Sequence, residues 1–455
     1  MAPSRSSTKR YTYSAALIGL CLIAFSLWIA IAQEKTQRPL GGASSGEPIV
    51  SQGVGAIGAD AWHAAGYDGS GVTVAVWDFG FHGYEALLGR ELPPNERVSA
   101  RGFGLPIAGD PREEAEDAAH GTAVAEIVHD VAPGATLYLV ATDTDDDAIA
   151  ALEWLIDESV DIVVASISVE DYCIDVGASR YEPVLERMRE AGILVVVASG
   201  NEGLSHWQGA YTDADGDGLH EYVPGDEGLE VELYRGDPID VILQWDDPCR
   251  PSANDFILRV VDRRGRTVAE GDYDNALDGP YEDLYADAPR DGTYTIEVER
   301  HSGDGDAVLD LVWSNGPEFE HAMREGSVSY FQPTVSPHVM TVGAVNWKTF
   351  DLESTSSGGP TKDGRIKPDL VAPTCVVSAT YGGRPSEYVE YTCGFEGTSA
   401  AAPHAAGAAA LVKQAFPGFT ADELETYLET HAIDLGEPGK DNVYGSGRLL
   451  LSDPP

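Results

Sequence analysis

From residue 54 onward the chain alternates between two apolar patterns. Short unbroken runs predict buried strands: "VTVAVWD" ending at Asp78, "ATLYLVA" from Ala135, "DIVVASIS" from Asp161 and "ILVVVASGN" ending at Asn201. Stretches of helical period lie between them: "HGTAVAEIVHDVAPG" from His120, "DDDAIAALEWLIDESV" from Asp145 and "RYEPVLERMREAG" closed by Gly192. Strands with no polar face, alternating with helices, imply a parallel sheet covered on both sides. The fold class read from this pattern is α/β, with a doubly wound, mostly parallel sheet.

The pattern breaks at about Leu204. Up to about Ser329 the apolar residues alternate with period two, in "LEVELYR", "IDVILQWDD", "DFILRVVD", "GTYTIEVER" and "AVLDLVW". Clusters of Gly, Asp and Pro separate these runs, which is the signature of an antiparallel β-sandwich. The α/β pattern then resumes with "VMTVGAVN" and the Ala-rich "SAAAPHAAGAAALVKQAF". The sandwich is therefore read as an insertion over 204–329, dividing an α/β domain into 54–203 and 330–455.

The N-terminus is of another kind. Arg5, Lys9 and Arg10 precede an apolar run from Tyr13 to Ala32 that ends in Ala30-Ile31-Ala32. A basic flank, an apolar run and a small-x-small end read as an export signal, or as an anchor if the run is not cut. Residues 1–32 are assigned to it. Residues 33–53, polar and rich in Gly and Ser, are assigned to a linker. The expected location is outside the cell, secreted or at the cell surface. Membrane contact is expected only if the N-terminal segment is retained.

Charge narrows the partners. The 455 residues carry 75 acidic and 29 basic side chains, a formal net charge of -46. Such a surface repels phosphates, so nucleic acid is excluded as a partner. Of the five cysteines, Cys21 lies in the export segment. In an oxidising compartment the other four are expected to pair. Cys375 and Cys393 flank a short segment rich in turn residues and are read as one disulfide; Cys173 and Cys249 follow by elimination.

Three segments place chemically capable residues where an α/β sheet exposes them. Asp78 ends a strand, His120 opens a helix, and Ser399 stands at a loop-to-helix start, where the helix dipole favours developing negative charge. Pro403 is read into the first turn of that helix, where its missing N–H costs nothing. Each residue alone is a common capping residue. Together, in the order Asp, His, Ser, they suit acyl transfer, with His120 as general base and Asp78 orienting it.

At these residues the chain resembles the subtilisin-like serine peptidases, over roughly Ala56 to Arg448 without the insert. "VAVWDFG", "HGTAVAEIVHDVAPGATLYLV" and "GTSAAAPHAAGAAAL" are similar to the family's Asp, His and Ser segments. "VVVASGNEG" is similar to its oxyanion segment. The resemblance implies an exported serine endopeptidase with Asp78, His120 and Ser399 catalytic, Asn201 in the oxyanion hole, and Ser166, Ser168 and Gly200 lining the substrate site. It implies a polypeptide substrate and no cofactor for catalysis, and a monomer is expected. The chain departs from the family at Phe79, where Thr or Ser is usual, and at Ala123, where His is usual. It departs again at Ser166–Val169, where Gly is usual. The stretch between Ala32 and Val54 leaves no room for the family's large pro-segment. The insert resembles the pre-peptidase C-terminal β-sandwich modules of secreted bacterial peptidases.

A second site is suggested by "DADGDGLHEY". Asp213, Asp215 and Asp217 alternate, Gly218 permits a turn and Glu221 follows, an oxygen-rich spacing suited to a structural Ca²⁺. Pro224 stands where a full EF-hand loop has its final Glu. His82, His129 and His404 are read as surface or packing residues. The competing reading of the whole chain is a catalytically idle surface protein that binds glycan or protein through the sandwich.

Overall fold

A computed structural model describes residues 48–455, except 111–116, 168, 171–178, 249–251, 272, 274–278, 304, 315, 330 and 383–392. The export segment, and the expected partners Cys173 and Cys249, lie outside the described residues. Among the described residues no helix is long and apolar enough to cross a membrane.

The principal sheet has seven strands. They are β1 (Thr73–Asp78), β2 (Val98–Phe103), β3 (Thr136–Thr142), β4 (Ile162–Ala165), β6 (Leu194–Ala198), β16 (Val339–Asn346) and β17 (Leu370–Thr374). Their order is β17-β16-β6-β4-β1-β3-β2, and every neighbouring pair is parallel. The short α1 (Gly53–Ala56) and α2 (Ala59–Ala64) precede the sheet. On its faces lie α3 (His120–Val131), α4 (Asp145–Asp157), α5 (Glu182–Glu190), α6 (Thr398–Ala415) and α7 (Ala421–His431). The central strands are buried end to end, as their uniformly apolar sequences require.

Two separate apolar clusters flank the sheet. On one face Val74, Val76, Leu137, Leu139, Val164 and Val196 pack with α3 and α6. On the other, Ala75, Trp77, Val163 and Val195 pack with α4 and α5. Alternate residues of one strand thus serve opposite cores, which is what a doubly wound sheet demands. Helix α4 begins with a capping box: the Thr144 side chain accepts from Asp147 N–H while Asp147 accepts from Thr144 N–H. The acids at its start thus include a working cap, worth about 1 kcal/mol.

Alanines line α6 because it runs through the core. Ala400–Ala402, Ala405, Ala406 and Ala408–Ala410 are wholly buried, and small side chains let neighbouring backbones come close. At Gly407 even a methyl would stand 2.6 Å from Val131 Cβ, so α6 and α3 cross in near contact there. Both helices bring their N-terminal ends to the carboxyl edge of the sheet, His120 to Asp78 at the end of β1 and Ser399 to Ser166 just past β4.

The alternating region supplies the strands β7 (His206–Ala210), β8 (Leu229–Leu233), β9 (Pro238–Trp245), β10 (Asp255–Asp262), β11 (Thr267–Gly271), β12 (Tyr281–Asp287), β13 (Gly292–Ser302) and β14 (Val308–Trp313). They form two four-stranded sheets, β11-β10-β13-β8 and β12-β9-β14-β7. They enclose their own core, including Trp207, Leu243, Trp245, Phe256, Leu258, Ile296 and Leu311. The pair β5 (Val169–Glu170) and β15 (Phe331–Gln332) is antiparallel and lies apart from both. The residues before the α/β pattern are also part of the fold. Ile49 N–H donates to Glu91 and Ser51 N–H to Asp130, so the expected linker gives way to ordered contacts before residue 54.

Candidate active site

Asp78 closes β1 at the carboxyl edge and is fully buried. A buried carboxylate needs partners, and this one has them. Its two oxygens lie 3.0 and 2.9 Å from His120 Nδ1, and Oδ1 also accepts from Phe79 N–H at 2.9 Å. The carboxylate marks Nδ1 as the protonated nitrogen and leaves Nε2 to act as base. His120 is the first residue of α3. The next residue must be small. A Cβ at Gly121 would stand 2.6 Å from Gly80 O and 2.7 Å from Asp78 Cβ, so glycine is what lets the helix end reach the aspartate. The Phe395 ring closes another side of the imidazole, at 5.5 Å and nearly perpendicular.

Ser399 is the second residue of α6, after an N-cap glycine. Gly397 has φ 81°, a region that side chains disfavour. A Cβ there would also meet Asn201 Oδ1 at 2.9 Å. That Oδ1 accepts from Thr398 N–H at 2.9 Å and from Thr398 Oγ1 at 3.1 Å. These donors fix which end of the carboxamide is oxygen and turn its NH₂ end the other way.

Ser166, just past β4, exchanges bonds with Ser399. The Ser399 hydroxyl donates to Ser166 O at 3.1 Å, and the Ser166 hydroxyl donates to Ser399 O at 2.9 Å. This exchange explains a difference from the sequence reading. The helix starts at Thr398, so Pro403 lies inside it rather than in its first turn. A proline there leaves the carbonyl four residues earlier without its helical donor. That carbonyl belongs to Ser399, and Ser166 supplies the missing hydrogen bond.

Gly200 precedes Asn201 with φ 98°, and a Cβ there would come within 2.5 Å of Glu202 Oε2. Its carbonyl accepts from Ser357 N–H at 3.0 Å. The Ser357 hydroxyl donates to Glu202 Oε2 at 3.1 Å and accepts from Glu202 N–H at 3.0 Å. Ser168 lies outside the described residues. The stretch after Ser166 leads into β5, whose Val169 and Glu170 pair with Gln332 and Phe331.

Behind the site, α3 carries two more acids. Glu126 is buried and accepts from Ala379 N–H, Thr380 N–H and the Thr380 hydroxyl. Burial outweighs these bonds and pushes its pKa up to about 7. Burial likewise raises Asp130, with the charges of Glu126 and Glu91 adding to the effect. His404 is fully buried, bonded to Ser51 Oγ and Ala400 O, and burial lowers its pKa to about 4. It is a packing residue. His129 is lowered to about 4 for the same first reason, and His82 is exposed.

Cys375 and Cys393 are bonded to each other, with Cα atoms 4.5 Å apart. The acidic loop lies between β7 and β8. Carboxylate oxygens of Asp213, Asp215 and Asp217 lie within 4.8 Å of one another. Glu221 stands apart from that group: its oxygens accept from Ala214 N–H and Gly225 N–H and brace the turn.

A family model described as the subtilase family matches residues 69–226 and 284–447. The chain belongs to the subtilase family. The unmatched stretch between the two segments falls among the sandwich strands. Over 452 residues this subtilase is 25% identical to the minor extracellular protease Vpr of Bacillus subtilis (strain 168), covering 87% of this chain and 52% of that protein. It is 37% identical over 122 residues to Subtilisin Savinase of Lederbergia lenta, covering 27% of this chain and 39% of that one. The chain thus spans about half, or less, of the length of these curated relatives. Among solved structures, the CspB protease of Clostridium perfringens aligns over 86% of this chain and 95% of its own, with a TM-score of 0.59 and 19% identity. That likeness concerns the fold.

Sequence reasoning passed over Phe395, Thr398, Glu126 and the Glu202–Ser357 pair. Thr398 stands beside the serine and could have been found as a neighbour of the motif. The others meet their partners only through the fold.

Proposed function

We propose that this subtilase is an exported serine endopeptidase that cleaves polypeptides through an acyl-enzyme on Ser399. The observation that carries the proposal is the buried pair of Asp78 with His120 Nδ1 at 2.9 Å, together with a helix whose second residue is Ser399 and whose first, Thr398, holds Asn201.

The chemistry follows from these contacts. At rest the Ser399 proton is directed at Ser166 O. Turning the hydroxyl toward His120 Nε2 lets the imidazole take that proton as Oγ attacks the scissile carbonyl. Asp78 stabilises the imidazolium that results. The oxyanion is met by the NH₂ end of Asn201, which Thr398 holds in place, and by Ser399 N–H. In a subtilisin such an Asn is worth roughly 10²–10³ in kcat, a magnitude carried over from that enzyme. His120 then gives its proton to the departing amine, and the C–N bond breaks. Water, deprotonated by the same His120, hydrolyses the ester and restores Ser399.

Export is supported by the basic flank and apolar run at the N-terminus, and by the extracellular description of the Bacillus relative. The sandwich is read as an accessory module of the pre-peptidase C-terminal kind, on the strength of its two four-stranded sheets. The loop of Asp213, Asp215 and Asp217 is assigned a structural Ca²⁺. Its carboxylates converge, and their field raises the pKa of nearby Glu227, Asp217 contributing most.

The test is direct. Purified protein is incubated with a serine-reactive fluorophosphonate and with a general protein substrate. Wild type is expected to label at Ser399 and to cleave, and Ser399→Ala to do neither. Labelling of wild type no stronger than that of Ser399→Ala would refute the peptidase assignment.

A further inference from the structure

We infer that Phe395 is a positioning residue for the catalytic histidine, kept seated by the Cys375–Cys393 disulfide. The inference rests on the peptidase reading above and adds a residue and a covalent tie to it.

The contact with Asp78 holds one end of the His120 ring, at Nδ1. Both carboxylate oxygens lie at nearly the same distance from Nδ1, 3.0 and 2.9 Å. A proton shared between two such oxygens fixes where the nitrogen sits better than how the ring tilts. Nε2, at the far side of the ring, moves most with that tilt, and it must meet the Ser399 hydroxyl. The Phe395 ring stands at 85° to the imidazole with centroids 5.5 Å apart, a favourable edge geometry. Phe395 is itself buried, and Tyr381 packs on it at 5.2 Å. A rigid aromatic wall against the imidazole adds a restraint on that tilt.

What holds that wall is a short pair of chain segments. Val376 and Phe395 exchange backbone hydrogen bonds, Val376 N–H to Phe395 O at 3.0 Å and Phe395 N–H to Val376 O at 2.8 Å. The disulfide joins the residue just before Val376 to the residue two before Phe395. The same two segments lead into the nucleophile. Thr374 Oγ1 donates to Gly397 O at 3.0 Å, two residues before Ser399. Gly394 packs so closely on Gly382 O that a Cβ there would stand 2.1 Å from it. On the far side, Glu126 holds the Ala379–Thr380 turn that carries Tyr381. Glu126 lies on α3, the helix that begins with His120. The stapled segments thus touch that helix at two points and open directly into the serine helix. Cutting the staple loosens the wall against His120 at its root.

The experiment measures kcat and KM per active site for wild type, Phe395→Ala, Phe395→Leu, Cys375→Ser/Cys393→Ser and the triple variant. Sites are counted by complete fluorophosphonate labelling of Ser399, so unfolded protein does not enter the rate. Phe395→Ala is expected to lose kcat on the order of 10²-fold, the cost of a misplaced catalytic group. KM is expected to change far less than kcat, since the residue is argued to act through His120. Phe395→Leu refills most of the volume and is expected to recover most of kcat. The cysteine pair is expected to lose kcat in the same direction. The triple variant is expected to lose no more than Phe395→Ala, since both changes act on one element.

A Phe395→Ala enzyme whose kcat per labelled site stays near wild type would overturn the inference. So would a cysteine pair that lowers the melting temperature alone, or losses that simply add. Wild type that does not label at Ser399 would remove the peptidase reading and this inference with it. A labelled, active wild type beside an unaffected Phe395→Ala would remove this inference only.

Discussion

Replacing Glu126 by Gln isolates one buried carboxyl whose protonation is tied to folding. Glu126 is almost fully buried on α3 and accepts three hydrogen bonds from Ala379 and Thr380. Those bonds favour the charged form, yet burial dominates and Glu91 adds to it, raising the pKa from an ordinary 4.5 to about 7. Between these two values the folded protein keeps a proton that the unfolded chain has released. Stability must then fall as pH rises. Below 4.5 both states are protonated and nothing is lost. Above 7 both are ionised, and the full loss, about 3 kcal/mol at 1.36 kcal/mol for each pH unit of difference, is in place.

Gln cannot ionise, so Glu126→Gln removes this slope. The variant should gain on wild type by about 3 kcal/mol between pH 4.5 and 8. Any fixed difference in how the amide fits cancels, because only the change with pH is read. Asp130, also raised by burial and by Glu126, contributes a slope of the same sign to both proteins. Loss of the Glu126 charge relaxes Asp130 toward its ordinary value, which reinforces the effect. Urea unfolding at several pH values, at fixed ionic strength, checks this in a Ser399→Ala background that cannot digest itself. Parallel stability curves for the two proteins would refute the reasoning. They would mean that Glu126 is ionised at no cost, or is reached by water in the folded state.

Two further perturbations probe other parts of the molecule. Chelation with EDTA should lower the melting temperature if Asp213, Asp215 and Asp217 hold a structural Ca²⁺, with added Ca²⁺ restoring it; an unchanged melt in both arms counts against the loop. Asp369 bridges Lys367 at 2.6 Å and Lys440 at 2.9 Å. Its removal in Asp369→Ala strands the buried Lys367 charge and should cost about 3–5 kcal/mol, visible as a lowered urea midpoint, whereas a midpoint equal to wild type would show that Lys367 finds water or another partner.

Different parts of this protein were legible in the sequence for different physical reasons. Five of the seven sheet strands were legible because strands buried on both faces must be apolar throughout, as β4 and β6 are; β17 and the half-exposed edge strand β2 were not read as strands. The positions of Asp78, His120 and Ser399 were legible because each is set locally, at the end of a strand or the start of a helix. Their glycine neighbours have causes that only the fold supplies. Gly121 admits the approach of α3 to Asp78, and Gly397 takes a backbone angle that side chains disfavour. What stayed hidden depends on contacts between distant segments. Ser166 meets Ser399 across 233 positions, and Glu126 meets Ala379 across 253. No periodicity encodes such a meeting.

Pro403 shows how the hidden contacts alter a local reading. Taken alone, a proline near a helix start belongs in the first turn, because further in it strands a carbonyl. In this fold the proline sits further in, and the stranded carbonyl is that of Ser399 itself. It is satisfied from just past β4 by a residue the sequence marked only for substrate contact. The local rule was sound, and a tertiary donor cancelled its cost. The same logic sets Phe395 apart from its neighbours in sequence. A phenylalanine two residues after a cysteine carries no chemical signature, and it matters only because a disulfide and one strand-like pair bring it to the imidazole. Residues that perform chemistry are recognisable by type, while residues that aim it are recognisable only by what they touch.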